Sequence, residues 1–250
     1  MNRATATLCS LHLLGNALLL WLGYYWLGIG ESDAVHLLWS ALLLAVLFGS
    51  ALWLHGTGLR FFSPDMDRSI LSAARGTLRN LVPLFVLCMV AILIYSVLAY
   101  WHNSFGHWAF VIGSYATLKL RKPIAPSGVL RTYFVFIWLL RWLVVPALVL
   151  PIAAKVAVSG WAGFRPHVWG RGRQLLYWIE VCVLLVCAVS VPLRLIQWVP
   201  EMSKFSLQMV SFLLRLGCGY LLFVAALLVL EFVTSTGRPR LSQPRTVSSP

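Results

Sequence analysis

The sequence predicts an all-α polytopic membrane protein with about six transmembrane helices and one amphipathic helix at the membrane interface. The chain has 250 residues, of which 60% are hydrophobic and 11% are charged, and its mean hydropathy is +0.84. Soluble domains are about 45–50% apolar and about 25% charged. The apolar residues also come in runs of roughly 20, the helix length that crosses the ~30 Å hydrocarbon core of a bilayer.

Six apolar runs are long enough to span a membrane, and tryptophans lie near the ends of most of them, where amphipathic rings favour the headgroup level. The first run lacks a small-residue cleavage site, so we expect it to remain as span one. Residues 1–233 are predicted to form a single membrane-embedded helical domain, and 234–250, rich in Ser, Pro and Arg, a disordered cytoplasmic tail. The predicted spans are 8–28, 35–55, 81–101, 132–158, 175–198 and 205–232.

The segment 63–80 carries the pattern of an amphipathic helix. Ser63 is a candidate N-cap with Pro64 at the first helical position. At 100° per residue, Arg68, Arg75 and Arg79 fall within about 40° of one another, and the apolar residues occupy a different sector. Such a helix is suited to lie on the inner leaflet with its arginines on anionic headgroups. The alternative is a solvated cytoplasmic helix that leads into span three.

The distribution of Lys and Arg predicts a bacterial-type cytoplasmic (inner) membrane protein with both termini in the cytoplasm. In the six-span arrangement eleven of these residues lie inside and five outside. If 108–118 also crossed, the counts would be ten and six, so a seven-span arrangement stays open. We favour six spans because an apolar core of 11 residues is short for a crossing. The inside set is Arg3, Arg60, Arg68, Arg75, Arg79, Arg165, Arg171, Arg173, Arg238, Arg240 and Arg245; the outside set is Lys119, Arg121, Lys122, Arg131 and Lys204.

The formal net charge of +13 indicates anionic partners. In a soluble protein this charge would suggest nucleic acid, but no nucleic-acid-binding motif is present and the basic residues flank the spans. Membrane lipids with anionic headgroups are therefore the expected partners. A partner membrane protein or a second copy of the chain is the alternative.

Three arginines interrupt apolar runs and are candidates for binding an anionic ligand. Arg141 and Arg215 are predicted about 15 Å deep, near the midplane, and Arg194 about 6 Å deep. Intramembrane charges face the bundle interior or water and often mark function, and the guanidinium fork suits phosphate. Three alternatives stay open: backbone carbonyls freed by a nearby proline or glycine as hydrogen-bond acceptors, an interfacial position for Arg141, and an ion pair with a partner subunit.

At the inner face, Lys155 is the expected partner of Glu180 or Glu231, because all three are predicted near the cytoplasmic ends of their spans. His12 and Asn16 share one face of span one and are expected to hydrogen-bond to a neighbouring helix. His36 and His55 flank span two, where interfacial solvation suffices.

No catalytic constellation is recognisable, and neither a cofactor nor a metal is predicted. The sequence lacks HExxH, GxSxG and Walker-type motifs. His102 and His107 have no acid near them in sequence, and the five cysteines form no CxxC pair. We therefore expect a non-enzymatic protein that binds or organises an anionic lipid or a partner membrane protein. A small transporter or lipid-flipping protein is the first alternative, and a lipid-phosphate enzyme the second.

Overall fold

The computed structural model describes residues 3–30, 33–64, 69–123, 125–165, 175–200 and 204–235, and these form an all-α fold with no strand among them. Six helical segments are long and apolar enough to span a membrane, which confirms the predicted fold class. The helices are α1 (Arg3–Leu27), α2 (Ala34–Phe61), α3 (Ile70–Arg79), α4 (Leu81–Ser104), α5 (Gly106–Leu120), α6 (Pro126–Leu139), α7 (Val145–Ser159), α8 (Leu175–Leu185), α9 (Val191–Gln197) and α10 (Phe205–Ser235).

Two of the six segments each consist of two α-helices joined by a π-helical turn. Leu140–Val144 joins α6 to α7, and Val186–Ser190 joins α8 to α9. In each case a proline, Pro146 or Pro192, is the second residue of the following helix. A proline has no N–H for the preceding turn, and the wider π turn accommodates that missing bond without ending the helix.

The fourth segment runs antiparallel to α4. Leu84 and Ala157 belong to one buried cluster near the start of α4, whereas Leu98 and Ile137 belong to another near its end. The fourth segment must therefore begin at the end of the bundle at which α4 finishes. The 15-residue α5 packs on α6 and measures about 22 Å, shorter than a ~30 Å hydrocarbon core. This packing supports six crossings and gives 108–118 no crossing of its own.

One end of the bundle, which we call the α3 end, collects the start of α1, the ends of α2, α7 and α10, and the helix α3. Leu8, Phe61 and Ala73 form a buried cluster there. The amphipathic helix is shorter than predicted. It begins at Ile70 after Ser69, so Ser63 and Pro64 lie before it, and Arg68 lies outside the described residues.

The carboxyl-terminal helix is longer than predicted. Thr234 and Ser235, expected to begin the tail, belong to α10, and Thr234 donates a side-chain hydrogen bond to the carbonyl of Leu230. The remainder of the predicted tail, 236–250, lies outside the described residues.

Candidate functional site

Three ionisable side chains from three helices meet in the interior near the α3 end. His55 Nδ1 lies 2.8 Å from Glu231 Oε1, a hydrogen-bond distance. His12 Nε2 lies 3.5 Å from Glu231 Oε2. The two imidazole rings are 5.6 Å apart between centroids. Because α1, α2 and α10 each contribute one residue, the cluster joins the first two spans to the last.

Two of the three residues of the cluster are buried, and the third is partly exposed. The His12 side chain is 0% exposed and the Glu231 side chain 7%, whereas the His55 side chain is 32% exposed. Gly58, about one turn after His55, makes room for the carboxylate. A Cβ at position 58 would overlap Glu231 Oε2 and lie 3.0 Å from His12 Nε2. Only a glycine lets α2 approach α10 this closely.

The predicted ion pair of Lys155 with Glu180 or Glu231 is not formed. The only ion pairs among the described residues are those of Glu231 with His12 and His55, and that of Asp33 with His36. Lys155 is exposed and Glu180 is half-buried. Glu231 takes histidine partners because helix packing brings α1 and α2, rather than the exposed side of α7, against its carboxylate.

The prediction that interfacial solvation suffices for His55 was wrong, since the ring bonds Glu231. His12 and Asn16 do share a buried face, but Asn16 Nδ2 donates to the carbonyl of His12 in its own helix at 2.8 Å. An acidic residue within an apolar span was the signal that could have led to this cluster, because such a residue needs a partner.

The helix α3 presents mixed apolar and basic residues outward. Leu71 and Leu78 are 60% and 57% exposed, and Arg75 and Arg79 are exposed beside them. On a helical wheel the two arginines lie about 40° apart, next to the leucines. We call these four residues the α3 surface. The opposite side packs on α2 through Ala73 and Thr77, both buried.

Arg60 and Asn80 fix α2 and the junction of α3 with α4 to the end of α7. Arg60 Nη1 donates to the carbonyls of Ala157 and Val158 at 3.0 and 2.9 Å. Asn80 Nδ2 donates to the same two oxygens at 2.9 and 3.3 Å. These carbonyls belong to the last turn of α7, whose oxygens have no partner within the helix. Arg60 is therefore engaged in holding the bundle together.

Arg215 also finds backbone acceptors. Its Nε donates to the carbonyl of Ser211 at 3.2 Å, and its Nη1 contacts those of Leu195 and Ile196 at 3.5 and 3.3 Å. Leu195 and Ile196 lie in the last turn of α9. The residue is 8% exposed. This arrangement favours the carbonyl-acceptor alternative for Arg215, and the anionic pocket stays a prediction.

Arg141 and Arg194 share no contact with Arg215 in the part of the chain that the structure describes. Arg141 lies in the first π turn, half-buried, and its carbonyl accepts a hydrogen bond from the Tyr95 hydroxyl at 2.6 Å. Arg194 is exposed on α9. No carboxylate among the described residues lies within ion-pair distance of any of the three arginines.

The remaining histidine contacts lie away from the cluster. His102 packs on the Phe134 ring at 4.6 Å between centroids, and His107 is exposed. At the start of α2, Asp33 accepts hydrogen bonds from the backbone N–H and the ring of His36 at 2.9 and 2.6 Å. These bonds, the backbone one first, lower the pKa of Asp33. This exposed pair is an N-cap of α2.

Comparisons of the chain with protein-family models, with curated proteins and with solved structures found no match. Its function must therefore be inferred from the arrangement of its own residues.

Proposed function

We propose that this chain is a non-enzymatic multi-pass protein of a bacterial-type cytoplasmic membrane that binds anionic lipid headgroups through the α3 surface. The carrying observation is that Arg75 and Arg79 stand exposed beside two exposed leucines on a helix whose other side is held by the bundle. Leucines of such a helix enter the hydrocarbon boundary while the arginines meet phosphates.

The anchoring of α3 supports a defined binding surface. Trp53 Nε1 donates to the Ala74 carbonyl at 3.2 Å, and Thr77 packs over Gly56, where an added Cβ would lie 2.6 Å from Thr77 Cγ2. These contacts fix both the height and the rotation of α3 relative to α2. A headgroup would therefore meet two arginines whose positions are set in advance, which lowers the ordering cost of binding.

The proposed orientation of the protein in the membrane rests on the distribution of its Lys and Arg residues. With the α3 end in the cytoplasm, eleven Lys and Arg residues of the sequence lie inside and five outside, as the positive-inside rule requires. Both ends of the helical domain then face the cytoplasm, together with the α3 surface. The anionic inner leaflet attracts basic residues by about 1 kcal/mol each.

A cavity of about 310 Å³ between α1, α9 and α10 favours lipid handling over transport of a polar solute. Apolar side chains line it, including Leu20, Leu193, Ile196, Leu216 and Phe223. Such a lining suits an acyl chain. A small transporter would need polar groups in this space, so transport is the less supported function.

Native mass spectrometry from nanodiscs tests the proposal. The wild type and the Arg75→Gln/Arg79→Gln variant would be released from discs of equal phosphatidylglycerol and phosphatidylcholine content. We expect the wild type to retain phosphatidylglycerol preferentially. Loss of two headgroup arginines, at about 1 kcal/mol each, should reduce that preference by roughly thirtyfold.

The matched control is Lys122→Gln/Arg131→Gln, which removes the same formal charge from exposed residues near the α5–α6 connection. The control should retain most of the preference. An equal loss in both variants would mean that total charge, rather than the α3 surface, attracts the lipid. An unchanged preference in the α3 variant would contradict the proposal.

A further inference from the structure

We propose that His12, His55 and Glu231 form a binding site for a divalent transition-metal ion of the zinc class. Two imidazoles and one carboxylate are a common ligand set for zinc and for other first-row divalent metals. Here they come from three different helices, and their donor atoms all lie within 4.8 Å of one another. This inference is independent of lipid binding at the α3 surface.

The separation of the donor atoms fits a shared ion. His12 Nε2 and Glu231 Oε2 are 3.5 Å apart without forming a hydrogen bond. Two ligands that each lie 2.0–2.2 Å from a tetrahedral zinc ion are about 3.4 Å apart. The pair is therefore spaced as ligands of one ion would be. The His55 ring lies against the same carboxylate, and on metal binding its Nδ1 would release its proton and exchange the hydrogen bond to Glu231 Oε1 for the ion.

Three buried polar atoms of the cluster form no hydrogen bond within the part of the chain that the structure describes. The two ring nitrogens of His12 and Oε2 of Glu231 are buried, and none of these three atoms forms a hydrogen bond with any described group. His12 is 0% exposed and Glu231 6%. Leaving buried polar groups unsatisfied is costly, and native structures rarely do so. A bound cation would satisfy His12 Nε2 and the free carboxylate oxygen together.

The surroundings offer both room and access. Gly58 keeps the space beside Glu231 Oε2 free of a side chain. His55 is the partly exposed member of the cluster, with 32% of its side chain exposed, so an ion would enter on the side of His55. The rival explanation is an ion pair of a protonated histidine with Glu231 that merely joins the helices.

Cobalt spectroscopy and zinc stoichiometry on the purified full chain in nanodiscs test the site. After chelator treatment and desalting, Co²⁺ should produce visible d–d bands of a low-coordinate complex, and Zn²⁺ should abolish them. We expect one zinc per chain by elemental analysis. His12→Gln and Glu231→Gln should each weaken zinc binding by at least about a hundredfold, since even outer-shell changes cost 10–100-fold.

The matched control is Asp33→Asn/His36→Gln, which removes the other histidine–carboxylate pair of the described residues, a pair that no third described ligand joins. It should leave zinc affinity unchanged. A second variant guards against misfolding: His55→Cys, with the five native cysteines replaced by alanine, keeps a donor at that position. Its cobalt complex should gain a sulfur-to-metal charge-transfer band.

The proposal is overturned if the wild type shows no cobalt d–d bands and binds zinc no more tightly than the His12→Gln variant. It is also overturned if the folded His55→Cys variant binds cobalt without a charge-transfer band. The ion-pair explanation predicts the first result, because no metal then occupies the cluster.

Discussion

Arg215 shows how a single charged residue is accommodated inside an apolar bundle. Its guanidinium contacts the carbonyls of Leu195 and Ile196, which belong to the last turn of α9. The last four carbonyls of any helix lack intrahelical partners. Gly219, one turn further along α10, lies against Pro192, so the two helices are close enough for the arginine to reach. A cation and a helix end therefore satisfy each other.

Replacing this arginine should destabilise the bundle. Arg215→Gln removes donors from the carbonyls of two half-buried residues, and we expect a loss of about 1–3 kcal/mol in the free energy of unfolding. Thermal denaturation in nanodiscs of fixed lipid composition measures it. Arg194→Gln, at an exposed position on α9, is the control and should change stability little. Equal effects of the two substitutions would argue against the capping role.

Prediction from sequence fails at the residue scale where a partner depends on which helices are neighbours. Residues 55 and 231 are separated by 176 positions, and nothing in the local pattern links them. Lys155 was a charged candidate for the ion-pair partner of Glu231. Only the packing of α1 and α2 against α10 decides that histidines receive the carboxylate.

At the scale of elements, α7 is held at its end by two donors that share both acceptors. Arg60 and Asn80 each bond the carbonyls of Ala157 and Val158. Either residue alone still supplies one donor to each oxygen. The side chains come from α2 and from the junction of α3 with α4, so three elements meet at one helix end.

A double-mutant cycle should reveal this sharing. Arg60→Gln and Asn80→Ala should each cost little, whereas the double variant should lose about 1–3 kcal/mol more than the sum, because both carbonyls then have no donor. Unfolding in nanodiscs provides the four stabilities. The control cycle pairs Asn80→Ala with Arg79→Gln, an exposed neighbour, and should be additive. Additivity in the first cycle would mean that water replaces the lost donors.

Element boundaries were predictable where composition decides them. The length of an apolar run sets the length of a span, so the six crossings followed from hydropathy. The π turns did not, because Pro146 and Pro192 indicate a perturbed helix without specifying how it is perturbed. A helix forms within the predicted 63–80 but begins only at Ile70, since Ser63 and Pro64 have the chemistry of a helix start and yet precede it.

At the scale of the whole molecule, the antiparallel packing of α4 with the fourth segment, α6 to α7, supports six crossings. Leu84 with Ala157 at one end and Leu98 with Ile137 at the other fix that direction. Charge counts alone could not decide, because ten against six is nearly as asymmetric as eleven against five. Long-range packing therefore carries information about topology that composition lacks.

Cysteine labelling in intact bacterial cells tests the resulting topology. In a cysteine-free background, Asn103→Cys at the end of α4 and Lys122→Cys after α5 should both react with a membrane-impermeant maleimide. Ser72→Cys on α3 should react only after the cells are opened. All three positions are exposed on the protein surface. A seven-span protein would instead protect Lys122→Cys while leaving Asn103→Cys reactive, because the additional crossing moves residue 122 to the cytoplasmic side. An inverted protein would be labelled at Ser72→Cys in intact cells, because inversion exchanges the compartment that the residue faces.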